Sequence, residues 1–161
     1  VDTAEGRPED AIRRYERFAP NFNARMSILS FSYGVGAIDT YQTLGEYEKA
    51  QALIDHLMSV VEPDPPMSFH SAHVLDASLF ALSGQPEVAI SILQEWVNEG
   101  GCTAFLQMQT EYELSVLADD PRFQELLQTV NNRLLEQRAN LARWEANGEM
   151  PPIPSIVLDP K

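Results

Sequence analysis

The chain has 161 residues, 44% of them hydrophobic, and a formal net charge of −13. That length allows one domain with a sizeable core, or a short array of repeats. No apolar run approaches the roughly 18–20 residues that a membrane-spanning helix needs, and an acidic excess of this size opposes nucleic-acid binding, which requires clustered Lys and Arg.

The excess is local. Residues 1–38 hold five acids and five bases, and residues 126–161 hold four of each. Residues 39–125 hold fifteen acids, with Lys49 and Arg122 as their only bases. A field of that kind solvates a helical surface and steers a basic partner toward it. Cys102 is the only cysteine, so an internal disulfide and a Cys-based zinc site are excluded. The expectation for Cys102 is a small neutral residue. The chain starts at Val1 and enters directly on a turn phrase. A fragment of a longer protein is therefore expected, and its sequence leaves the compartment open between cytoplasm and, with an upstream membrane span, periplasm.

Helical periodicity dominates the chain. Pro8 suits a first helical position, and Glu9 and Asp10 favour the positive helix start. Ala11, Ile12, Tyr15, Phe18 and Ala19 then form one apolar face, ended by Pro20. Residues 21–44 predict a second helix, with Gly34 and Gly36 inside it. A third runs from Glu46 to about Val61 along Tyr47, Ala50, Leu53, Ile54, Leu57 and Met58, and Pro63-Asp64-Pro65-Pro66 stops it. The fourth spans about Ser68–Ser83. The fifth starts at Pro86, carries Val88, Ala89, Ile92, Leu93, Trp96 and Val97 inward, and ends at Gly100-Gly101. A sixth is expected over Thr103–Leu117, with Phe105, Met108, Tyr112, Val116 and Leu117 inward. Asp119-Asp120-Pro121 opens a long seventh to about Asn147. Residues 150–161 form a Pro-rich tail.

One phrase recurs. Gly6, Gly45 and Gly84 are 39 residues apart, as are Ala11, Ala50 and Ala89. Tyr15, Ile54 and Leu93 keep the same spacing, and so do Phe18, Leu57 and Trp96. A period in this range means stacked helical repeats. Gly45, Tyr47 and Ala50, with Tyr41 four residues before the Gly, resemble the tetratricopeptide repeat. Gly84, Phe80 and Ala89 hold those places in the next copy, with Pro86 where Tyr47 was, and Gly6, Pro8 and Ala11 do so in the first. The period departs from the family's usual 34, and the unit around Asp120-Pro121-Arg122-Phe123 lacks the Gly and Ala. That last unit resembles the C-terminal end of such regions in bacterial multidomain regulators.

The resemblance implies an all-α, right-handed stack of antiparallel helix pairs. Six or seven helices are expected, in units near 6–20, 21–63, 66–100 and 103–147, closed by a long C-terminal helix. It also implies a concave groove lined by the first helix of each pair, here Ser32, Val35, Asp39 and Gln42, then Ser71, Val74, Ser78 and Ala81. These positions carry no Lys or Asn to clamp a peptide carboxylate. The groove is hydroxyl-lined and mildly acidic, so a protein or peptide with basic character is the expected partner. The function expected is a protein-interaction or sensory module of a larger protein. A homo-oligomerisation domain is the alternative.

Chemistry is poorly represented. His70, His73 and Asp76 share one helix face, but spread over nearly two turns they reach one ion awkwardly. Gly34-Val35-Gly36 lacks the preceding strand and the further residues of a phosphate loop. The acid pairs Glu46/Glu48, Glu111/Glu113 and Asp119/Asp120 fall at helix starts or open faces, where capping accounts for them. No enzyme, cofactor or metal is expected, and a small metal-dependent enzyme is the weakest of three readings.

Overall fold

A computed structural model describes residues 7–18, 28–60, 72–101 and 112–149. The described residues are all helical, with no strand. In chain order they form α1 (Pro8–Phe18), α2 (Ile28–Thr43), α3 (Tyr47–Val60), α4 (Ala72–Leu82), α5 (Pro86–Asn98), a 3-10 helix (Tyr112–Leu117) and α6 (Pro121–Ala146). Gly6, His70, Ser71, Cys102 and the tail lie outside them.

α2 and α3 form one helical hairpin, and α4 and α5 another. Both hairpins turn the same way. At the end of α2 the Gly45 N–H donates to Gln42 O at 3.0 Å and the Glu46 N–H to Tyr41 O at 2.9 Å. At the end of α4 the Gly84 N–H donates to Ala81 O at 3.1 Å and the Gln85 N–H to Phe80 O at 2.9 Å. This Schellman pattern satisfies helix-end carbonyls and needs a left-handed residue, which glycine supplies. Gly45 and Gly84 have φ of 75° and 78°. The same closure ends α5 at Gly100 and α6 at Gly148. In all four helices an aromatic residue precedes the glycine by four: Tyr41, Phe80, Trp96 and Trp144.

The core has two parts. Phe31, Val35 and Ile38 of α2 meet Ala50, Ile54 and Leu57 of α3 and Leu75, Leu79 and Leu82 of α4. Val74, Ala77 and Ala81 on another face of α4 join Ala89, Leu93 and Trp96 of α5, Leu114 and Leu117 of the 3-10 helix, and Phe123, Leu126 and Val130 of α6. α4 is thus apolar nearly all round, as a helix between two layers must be.

Four expectations are corrected. Where an α-helix was expected to run through residue 117, Tyr112–Leu117 is a 3-10 helix; residues 103–111 of that expected helix are outside the described set. A 3-10 helix eclipses side chains three apart, so Leu114 and Leu117 are both buried while Val116 faces out. Tyr47, placed inward by the repeat phrase, is 68% exposed, and Val88 is exposed as well. Each sits in the first turn of its helix, and the small Ala50 and Ala89 make the close contacts instead.

α6 lies alongside α5 and runs in the same direction. Arg122, near its start, donates to both carboxylate oxygens of Glu87 at 2.6 and 3.0 Å. Arg133, eleven residues on, donates to the Val97 carbonyl at the end of α5. Asp120 caps α6 by accepting from the Arg122 N–H at 2.8 Å. The Arg122 side chain and the backbone N–H groups at the helix start hold the Asp120 carboxyl down at about 2. Its capping contribution is therefore complete above the ordinary Asp value and is lost as pH falls toward 2. Asp120→Ala is expected to lower the melting temperature at pH 7 and to flatten the acid side of the stability profile. Unchanged acid sensitivity would show that the cap is not what titrates.

Candidate functional site: an acidic notch on α2

The groove positions separate into two groups. Val35, Val74, Ser78 and Ala81 are buried. The 3-10 helix packs on both α2 and α4, and its Leu114 and Leu117 share a core cluster with Val74 and Ala81. Ser78 spends its hydroxyl within its own helix, donating to Val74 O at 2.9 Å. Thr40 does likewise toward Gly36 O at 2.8 Å. Gln42 reaches across and donates to Leu82 O at 3.1 Å, tying the ends of α2 and α4. Val35, Thr40, Val74, Ser78 and Ala81 are buried within the fold, while Gln42 stays partly exposed beside its tie to α4.

Ser32 and Asp39 remain accessible, with Gly36 between them on the same face of α2. Gly36 is a crossing point. A Cβ there would collide with the Tyr15 hydroxyl of α1 and lie 3.2 Å from Glu113 Oε1 of the 3-10 helix. Glycine therefore lets three elements meet. Tyr15 packs edge-on against Tyr33, with ring centroids 6.2 Å apart, and Tyr33 is half exposed. Tyr15, Tyr33, Asp39 and Glu113 thus gather around Gly36, with the Tyr15 hydroxyl and the Glu113 carboxylate both against the glycine; this junction is the notch.

Burial first, and the Glu113 charge second, push the Asp39 carboxyl up to about 6. No cation offsets them among the described residues that act on it. The two bases of the acidic middle are engaged elsewhere. Lys49 pairs with Glu46 and stands 5.3 Å over the Tyr41 ring, and Arg122 pairs with Glu87 and Asp120. A like-charge pair in a partly desolvated place is stabilised by a proton or an incoming cation.

His73 and Asp76 lie on α4, where burial raises the Asp76 carboxyl and the His73 charge lowers it. Among the described residues no group of three His, Cys, Asp or Glu side chains could hold a metal, and none of the described helices is long and apolar enough to cross a membrane. Glu113 was not among the residues singled out as groove positions. Its place beside Asp39 depends on a contact between segments 74 residues apart, which leaves no local pattern. No family model, no curated protein and no solved structure matches this chain.

Proposed function

We propose that the chain is a helical-repeat module of the tetratricopeptide-like kind, which docks a partner protein by seating one of its Arg or Lys side chains in the Asp39–Glu113 notch. The observation that carries the reading is the Asp39–Glu113 pair itself: two neighbouring acids, with Asp39 partly desolvated and no cation among the described residues that act on its carboxyl. A guanidinium placed there gains charge-assisted hydrogen bonds from the carboxylates and a face-on contact with tyrosine. The recurring Schellman turns with matched φ, the aromatic before each glycine and the paired hairpins support the repeat architecture. A rigid stack also spares the ordering cost that weakens flexible binding surfaces. The surrounding acidic surface would speed encounter with a basic segment, more so at low salt.

Selection of displayed peptides on the intact chain tests this. The selected peptides are expected to carry a shared Arg or Lys. Asp39→Lys should weaken the best of them by about tenfold or more while keeping the helical circular-dichroism spectrum and a cooperative melt. Peptides without a basic residue, or equal affinity for the Asp39→Lys chain, would overturn the assignment.

A further inference from the structure

The last helix is longer than what packs on it. α6 has 26 residues and α5 has 13, so at ~1.5 Å per residue α6 extends some 20 Å farther. Its final tie to α5 is Arg133. Beyond that point the core face of α6, which carries Phe123 and Val130, continues at heptad spacing through Leu134, Gln137, Leu141 and Trp144, apolar at all but Gln137. Leu134 is half-buried, whereas Leu141 is 46% and Trp144 42% exposed. Trp144 is also the exception among the four aromatics that precede a helix-ending glycine. Tyr41 and Phe80 are half-buried against the core and Trp96 is fully enclosed.

Two observations choose the occupant. Residues 39–125 repel another copy of the chain along most of its length, but residues 126–161 carry balanced charge. Two copies can thus bring the ends of their α6 helices together without the repulsion that residues 39–125 would impose. The residues after Gly148 include Pro151, Pro152 and Pro154, which cannot supply another helix to that face. We propose that the C-terminal half of α6 is a homodimerisation surface, pairing with the same half of a second copy through Leu134, Leu141 and Trp144. An antiparallel pairing sets Leu134 of each copy against Trp144 of the other. Three large side chains per copy make a small interface, so the dimer is weak, with a dissociation constant on the order of 10–100 μM.

Sedimentation equilibrium of the intact chain, from about 5 to about 500 μM at near-physiological salt, tests the proposal. The mass should climb from monomer toward dimer, and tryptophan emission should move to the blue with it. Trp96 is enclosed already, so that shift reports Trp144. Leu141→Asp should hold the chain monomeric at the highest concentration without changing its melt at the lowest. A monomer throughout the range overturns the proposal. So does a blue-shifted emission that ignores concentration and is lost in Ile156→Asp/Val157→Asp, since the chain's own tail would then cover the stripe.

Discussion

Trp96→Ala is expected to destabilise the protein by about 3–5 kcal/mol. A domain with an ordinary stability of roughly 5–15 kcal/mol would lose much of its reserve, and chemical denaturation should show the midpoint falling with little change in slope. The reason is position. Trp96 is fully buried in the cluster that joins α4, α5, the 3-10 helix and α6, so its loss opens a cavity shared by four elements. The indole N–H is itself buried with no hydrogen-bond partner among the described residues. An unpaired buried donor carries a penalty of about 1–3 kcal/mol. Trp96→Phe removes that penalty while keeping most of the ring, and should cost less than half of what Trp96→Ala costs. Equal losses in the two variants would show that the N–H is satisfied in solution.

Asp39→Asn should act in the opposite direction, and only at neutral and higher pH. The ordinary Asp value is 3.8 and the folded protein holds Asp39 at about 6. The folded state therefore binds this proton more tightly than the unfolded chain. Its contribution to stability is full below about 4, declines as pH rises through about 6, and is absent above. Asparagine keeps the site neutral at every pH. Because Asp39 is only half-buried, solvent screening reduces the effect to the order of 1–2 kcal/mol. Asp39→Asn should then melt a few degrees higher than the natural chain near pH 7.5, with the gap closing near pH 4. The same variant should lose the basic peptide. A carboxylate that costs stability in the free protein and is needed for binding is the expected signature of a site held ready for a cation. Parallel pH profiles for the two chains would contradict this.

Much of the architecture was legible because it is local. Gly45 and Gly84 mark turns through a backbone conformation that few other residues adopt, and Pro86 and Pro121 mark helix starts through a missing N–H. Ala50 and Ala89 are small where helices approach. What escaped depends on distance along the chain. The buried state of Val74, Ser78 and Ala81 follows from the 3-10 helix lying over them, and leucines spaced by three fit an α-helix or a 3-10 helix equally well. Asp39, which the structure leaves half-buried, was singled out by its place in the repeat resemblance. Its carboxylate neighbour could not be, because Glu113 reaches it only after α2 and α4 have packed.

The two arginine ties between α5 and α6 divide the last helix into segments of different persistence. Up to Arg133, the backbone amides of α6 sit over Phe123, Leu126 and Val130 and open only when the shared core opens. Past Arg133 α6 itself contributes no buried side chain, so in the monomer these amides should exchange with solvent deuterium through fraying from the Gly148 end. The helix therefore has a slow half and a fast half, with the boundary about one turn beyond Val130. Whatever docks on the fast half slows its exchange residue by residue, and so maps its own footprint.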